Sequence, residues 1–229
     1  MLRKLVVEAI GTFLFLVVIG QVVIGGAGAF APLAIGCTLM VVVYAGGHLS
    51  GGHYNPAVTL AVWLRGGART AEVLPYWAAQ IAGALAASVA VSFFNPGSPV
   101  NAIEVDVAPV LLAEFIFTFM LCFVVLNVAT VRSTDGNSYY GLAIGFAVVV
   151  GAYAVGGVSG GAFNPAVVAG LTAVGLISMG SVWIYFVAQL AGGAAAAAIF
   201  RALDMGSEHT VVSATPLREP MPAGEAAKD

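Results

Sequence analysis

The chain has 229 residues, of which 60% are hydrophobic and only 8% are charged, and its mean hydropathy is +1.00. Because a soluble domain carries about 25% charged residues, this composition excludes an ordinary soluble protein and predicts that lipid is the main solvent. The formal net charge of −3 says little by itself. We expect no cofactor and no nucleic-acid partner.

Six apolar segments are long enough to cross a bilayer, which takes about 20 residues. In chain order the predicted spans are Leu5–Gly25, Pro32–Leu49, Pro75–Phe94, Pro109–Val131, Tyr140–Val158 and Ser181–Leu203. Two shorter apolar stretches, Pro56–Leu64 and Pro165–Ala173, are predicted to be half-helices that enter the membrane from opposite sides. We expect residues 1–203 to form one domain and the polar residues 204–229 to form a disordered tail.

The chain contains an internal repeat. Ser50–Val58 reads SGGHYNPAV and Ser159–Val167 reads SGGAFNPAV, at an offset of 109 residues (164 − 55). The repeats cover about residues 5–95 and 109–203, and each holds three predicted spans, so the second must be inverted relative to the first. Inverted repeats with broken helices are typical of channels and transporters with a central site. The predicted fold is therefore an all-α membrane protein with six transmembrane helices and two re-entrant half-helices.

The basic residues predict the orientation in the membrane. If the amino terminus is inside, every Lys and Arg falls on the cytoplasmic side, namely Arg3, Lys4, Arg65, Arg69, Arg132, Arg201, Arg218 and Lys228. The predicted outer loops carry only Glu104 and Asp106. This is the bias expected of cytoplasmic loops, and it predicts a multi-pass protein of the plasma (inner) membrane with both termini in the cytoplasm.

Each half-helix begins with the triplet Asn-Pro-Ala, which is Asn55-Pro56-Ala57 in the first repeat and Asn164-Pro165-Ala166 in the second. Asn caps a helix well, and Pro suits the first helical position. Two positively polarised helix ends would meet at the membrane centre, repel cations and leave both Asn side chains to donate to a neutral solute. The preceding backbone would line a water-filled path with the carbonyls of Gly51, Gly52, His53 and Tyr54, and of Gly160, Gly161, Ala162 and Phe163.

Glu8 and Glu114 are the only acidic residues within the predicted spans, where carboxylates are costly and usually functional. They could form a proton-coupling pair, or each could bind the backbone N–H groups of one re-entrant loop. We favour the second interpretation, because the two residues occupy equivalent repeat positions. His48 and His53 are spaced wrongly for one helical face, and we expect no metal site.

These paired motifs, together with Glu8 and Glu114, resemble the aquaporin (major intrinsic protein) family from Leu5 to about Leu203. The resemblance implies no enzymatic activity, a homotetramer with one pore per subunit, and passive flow of water or small neutral solutes through the lipid bilayer. It also implies that Asn55 and Asn164 orient each permeating molecule.

One departure from the family is informative. Most members have an arginine directly after the second triplet, where this chain has Val167, and the other positions of that outer constriction align with Ile35, Ala152 and Gly161. The outer filter is therefore expected to be wide, apolar and uncharged. It would favour glycerol-like polyols or metalloid acids such as arsenous acid.

Three alternatives remain open at this point. The first is a water-selective aquaporin, and the second is a proton-coupled transporter that uses Glu8 and Glu114. The third is a structural membrane protein whose pore is blocked by an aromatic side chain, for which the candidates are Tyr44, Tyr54 and Phe163.

Overall fold

The computed structural model describes residues 1–206. Within this range it contains the helices α1 (Leu2–Ile24), α2 (Ala31–Ser50), α3 (Pro56–Leu64), α4 (Thr70–Phe94), α5 (Val107–Ala129), α6 (Tyr140–Ser159), α7 (Pro165–Ala173) and α8 (Val182–Ala202). Six of these described helices are long and apolar enough to cross a membrane, which confirms the predicted all-α fold. The expected tail lies outside the described residues, apart from residues 204–206.

The two short helices have the bounds that the sequence predicted. Each begins at the proline of its triplet and is nine residues long. The side-chain oxygen of Asn55 accepts from the Ala57 N–H at 2.8 Å, and that of Asn164 accepts from the Ala166 N–H at 2.9 Å. These caps explain why both helices start where they do.

The helix packing follows the repeat. Helix α1 packs on α4, and its repeat counterpart α5 packs on α8. In the same way, α3 packs on α8 and its counterpart α7 packs on α4, while the counterparts α2 and α6 pack on each other. At the α2–α6 crossing, a Cβ added to Gly36 would lie 2.5 Å from the Gly145 carbonyl oxygen, and one added to Gly145 would lie 2.4 Å from that of Gly36. Glycine at these positions lets the two backbones approach closely.

Helix α4 begins five residues before the predicted start, at Thr70 rather than at Pro75. The Glu72 carboxylate accepts from the backbone N–H of Arg69 at 3.2 Å and forms a 3.0 Å ion pair with Lys4. Because these contacts satisfy a polar first turn, the helix extends beyond the apolar segment that the sequence marks.

Both ends of the helical domain lie on one side of it, because an even number of spans separates Leu2 from Ala202. Contacts between distant segments agree with this placement, since Arg201 at the end of α8 donates to the Leu64 carbonyl at the end of α3. We call this side the terminal face and the opposite side the distal face.

Candidate functional site: the meeting point of two re-entrant loops

A buried carboxylate holds the loop between α2 and α3. Glu8 is 0% exposed, and its Oε1 accepts from the Ser50 hydroxyl at 2.7 Å and from the His53 N–H at 2.9 Å. Its Oε2 accepts from the Tyr54 N–H at 2.7 Å and from Gln80 Nε2 at 2.8 Å. Four donors around one carboxylate satisfy a charge that would otherwise be expensive inside a membrane.

The second repeat reproduces this arrangement atom for atom. Glu114 is also 0% exposed, and its Oε1 accepts from the Ser159 hydroxyl at 2.6 Å and from the Ala162 N–H at 3.1 Å. Its Oε2 accepts from the Phe163 N–H at 2.8 Å and from Gln189 Nε2 at 2.7 Å. Each re-entrant loop is thus attached to the first helix of its own repeat.

The two loops are also bonded to each other through the Asn side chains. Asn55 Nδ2 donates to the Phe163 carbonyl at 2.9 Å, and Asn164 Nδ2 donates to the Tyr54 carbonyl at 2.8 Å. A primary amide has two N–H donors, so each Asn retains one for another partner. The N-termini of α3 and α7 therefore meet, each with one amide donor still available.

The backbone of both loops turns sharply just before the triplets. Tyr54 and Phe163 have φ angles of 48° and 47°, a conformation that residues with a side chain rarely adopt. The N–H bonds to the glutamates and the carbonyl bonds to the opposite Asn hold this conformation. Among the residues that the structure describes, no hydrogen bond reaches the carbonyls of the preceding loop residues Gly52, His53, Gly161 and Ala162.

Only the first loop carries an additional polar network. His53 Nδ1 lies 3.1 Å from Thr59 Oγ1, which also accepts from Gln80 Nε2 at 3.0 Å. The Thr59 hydroxyl donates to the Asn55 carbonyl at 3.0 Å. The repeat counterparts of His53 and Thr59 are apolar, namely Ala162 and Val168.

The structure brings two of the four expected outer-filter residues together. A Cβ added to Gly161 would lie 3.3 Å from the Ala152 Cα, so glycine at this position lets the loop approach α6 closely. Val167 is only 1% exposed and belongs to the hydrophobic core, and Ile35 packs against that core. The valine thus fills its position rather than opening a broad surface there.

Open space is distributed unevenly around the meeting point of the loops. A cavity of about 490 Å³ opens at the terminal face and has polar and charged lining residues that include Lys4, His48, His53, Arg65, Glu72 and Thr130. At the meeting point of the loops, a cavity of only about 10 Å³ lies between Asn55 and Asn164. The open space therefore decreases from a vestibule at the terminal face to the size of about one water molecule beside the Asn pair.

Arg65 fixes one wall of the vestibule. Its Nε donates to the Thr130 hydroxyl at 2.9 Å, its Nη2 donates to the Thr130 carbonyl, and its guanidinium lies 5.5 Å from the centre of the Phe200 ring. Partial burial lowers the pKa of the Arg65 guanidinium from its usual value. The side chain stays charged at neutral pH, because arginine titrates far above it.

Several residues that support the loops were not predicted to do so, although some of them recur in the repeat. Besides the serine and glutamine partners of the glutamates, Tyr76 donates to the Ser50 carbonyl at 2.7 Å, and Tyr185 donates to the Ser159 carbonyl at 2.9 Å. The tyrosines, serines and glutamines all recur at the offset of 109 residues. The recurrence of polar residues inside apolar repeats was therefore the sequence signal of this supporting role.

Comparisons with known proteins agree with this geometry. The sequence profile of the family described as Major intrinsic protein matches residues 1–151 and 103–227. The chain is 38% identical over 209 residues to aquaporin NIP1-3 of Oryza sativa subsp. japonica, which covers 85% of this chain and 71% of that protein. It is 35% identical over 227 residues to aquaporin-8 of Rattus norvegicus, which covers 91% of this chain and 84% of that protein.

A solved structure shares the fold. The X-ray structure of the aquaglyceroporin from Plasmodium falciparum superimposes with a TM-score of 0.77 over 87% of this chain and 95% of that chain. The sequence identity is 20%, so this likeness bears on the fold alone.

Proposed function

Because the chain belongs to the major intrinsic protein family, whose members are channels and not enzymes, we propose that it conducts water and small uncharged solutes passively. The proposed solutes include glycerol-like polyols and metalloid acids such as arsenous acid. We further propose one pore per subunit in a homotetramer. The observation that carries the proposal is the meeting of two half-helix ends at Asn55 and Asn164, each with one amide donor available.

This site suits a neutral molecule and disfavours a cation. Each helix end carries about half a positive charge, and the glutamates that hold the loops are fully engaged by four donors each. A hydroxyl-bearing solute can accept from the Asn amides and donate to the unbonded loop carbonyls. A cation would meet the positive helix ends after losing water, and the two carboxylates are buried behind the loops and cannot bind it directly.

The distribution of basic residues supports an orientation. Among the described residues, the contacts of Lys4, Arg65, Arg69 and Arg201 place all four at the terminal face. We propose that the terminal face is cytoplasmic and that the protein lies in the plasma (inner) membrane, because cytoplasmic loops are enriched in Lys and Arg.

The alternatives receive less support. A proton-coupled transporter would need Glu8 and Glu114 to face the path, whereas both are 0% exposed and occupied by loop donors. An aromatic plug would need a free ring, whereas Tyr54 and Phe163 are 1% exposed and the Tyr44 hydroxyl donates to the Ser138 carbonyl.

The proposal is tested by light-scattering permeability of proteoliposomes to water, glycerol and arsenous acid. We expect the wild type to conduct all three and Val167→Arg to keep water while losing the two larger solutes, because an arginine would narrow and charge the outer filter. Asn101→Arg adds the same charge at an exposed position of the distal loop and should leave all three fluxes unchanged. A wild type that passes only water would contradict the proposed solutes and favour a water-selective channel.

A further inference from the structure

The inverted repeat gives each expected outer-filter position a counterpart on the other side of the Asn pair. At the offset of 109 residues, Ile35 corresponds to Ile144, Ala152 to Val43, Gly161 to Gly52 and Val167 to Val58. The loop residue that follows Gly52 is His53, whose counterpart is Ala162. We call the set Val43, Gly52, His53, Val58 and Ile144 the inner filter.

Most of the inner filter lies at the small cavity beside the Asn pair. Gly52, His53, Val58 and Ile144 all line this cavity of about 10 Å³, and of their repeat counterparts only Ala162 does so. His53 also lines the vestibule of about 490 Å³, so its ring stands at the boundary between wide and narrow space. A cavity needs about 10–15 Å³ to hold one water, and a polyol cannot occupy this segment unless its lining moves.

The inner filter is bulkier than its outer counterpart wherever the two differ. Val43 corresponds to the smaller Ala152, and His53 corresponds to the much smaller Ala162. The remaining pairs are identical, with an isoleucine, a glycine and a valine on each side. Because the two repeats have the same backbone arrangement, the half of the passage with the larger side chains is the narrower half.

The ring of His53 is held in place rather than free to swing aside. The Thr59 hydroxyl donates to the Asn55 carbonyl, so it is the acceptor in its contact with His53 Nδ1. This assigns the proton of the neutral imidazole to Nδ1. The ring also lies 5.2 Å from the Tyr76 ring between centroids, and a Cβ added to Gly51 would lie 3.0 Å from Nε2.

We propose that the inner filter, rather than the outer filter, sets the largest solute that this protein conducts, and that His53 and Ile144 are its size-determining residues. The inference rests on the proposed function, because it concerns the same passage. It assigns the size limit to positions on the other side of the Asn pair from Val167, where most family members have an arginine.

The repeat provides a matched pair of variants for the test. Ile144→Ala removes an inner-filter side chain, and Ile35→Ala removes the same atoms at the equivalent outer position. Permeability of proteoliposomes to a four-carbon polyol and to glycerol is measured relative to water. We expect Ile144→Ala to raise the polyol-to-water ratio by about tenfold, the lower end of what one methylene decides in a tight apolar pocket, and Ile35→Ala to leave it within about twofold.

Three further variants keep the test decisive. Ile144→Val changes less volume and should act in the same direction if Ile144→Ala does not fold. His53→Ala should raise the ratio as well, whereas Ala162→His should lower it by tightening the outer half.

The outcomes separate the inference from the proposed function. If Ile35→Ala raises the ratio as much as Ile144→Ala, or if neither changes it while the wild type conducts water and glycerol, the inner filter does not set the size limit and only this inference fails. If wild-type vesicles are no more permeable than protein-free vesicles to water and glycerol, the proposed function fails together with the inference.

Discussion

Thr59 shows how one hydroxyl makes the two halves of the pore differ. It binds His53, Gln80 and the Asn55 backbone at once, whereas Val168 at the equivalent position can bind none of their counterparts. The histidine and its support are therefore present on one side of the Asn pair only. The two halves therefore have similar backbones but different polar side chains next to the Asn pair.

Thr59→Val tests this role. It should lower the stability of the protein in detergent by about 1–3 kcal/mol, because His53 Nδ1 loses its acceptor whereas Gln80 Nε2 keeps Glu8. If Thr59 positions the ring, the polyol-to-water ratio should also rise in the direction of His53→Ala. Val168→Thr adds a hydroxyl where there is no histidine and should not change the ratio; a ratio unchanged in both variants would limit Thr59 to a structural role.

Replacing the buried carboxylates tests whether they hold the loops. In Glu8→Gln or Glu114→Gln, one side-chain oxygen becomes an amide that cannot accept, so some of the four donors lose their partner, at about 1–3 kcal/mol for each unsatisfied group. We expect lower thermal stability and loss of water permeability. Glu104→Gln, at an exposed distal position, removes the same charge and should match the wild type.

If Glu8→Gln kept wild-type stability and flux, the loop-holding role would be wrong. If it kept flux but abolished a proton gradient's effect on glycerol accumulation, the transporter interpretation would replace the channel.

The sequence predicted which residues form the site, but it did not predict most of their hydrogen-bond partners. Glu8, Glu114 and the two triplets stand out because polar groups are rare in apolar segments. The hydrogen bonds from Asn55 and Asn164 to the opposite loop were not predictable, because they join residues that are 108 and 110 positions apart in the chain. Their geometry depends on how closely the two half-helices approach each other.

At the scale of elements, the half-helices were the most predictable part of the chain. Their starts are encoded locally by an Asn cap and a Pro at the first helical position, so the predicted bounds of α3 and α7 match the structure. The start of α4 was predicted late, because Lys4 satisfies the Glu72 carboxylate from another helix. A contact between distant segments leaves no trace in the local hydropathy.

The crossing of α2 and α6 gives a prediction at the same scale. In Gly145→Ala the new methyl group would overlap the Gly36 carbonyl oxygen, at a distance of 2.4 Å, so the two helices must separate. We expect a loss of about 1–3 kcal/mol of stability from overpacking, measured by thermal unfolding in detergent. In the same helix, Gly157→Ala has nothing within 4 Å of the added carbon and should not destabilise; equal losses in both variants would show that the crossing is not tightly packed.

At the scale of the whole molecule, the protein is a symmetric frame with an asymmetric passage. The inverted repeat pairs α1 with α5, α2 with α6, α3 with α7 and α4 with α8, and the packing of each helix is matched in the other half. Symmetry brings the two Asn side chains together at the centre, and the unequal loop residues make the two approaches to that centre different. The sequence repeat predicted the frame, whereas the small cavity beside the Asn pair required the structure.

The central claim is that solutes cross passively through this passage, and glycerol flux across proteoliposomes with an imposed pH gradient tests it most directly. The account predicts that net flux follows the glycerol gradient alone, vanishes when the glycerol concentrations are equal, and is unchanged when the pH gradient is reversed. Accumulation of glycerol against its own gradient, driven by the pH difference, would contradict the account.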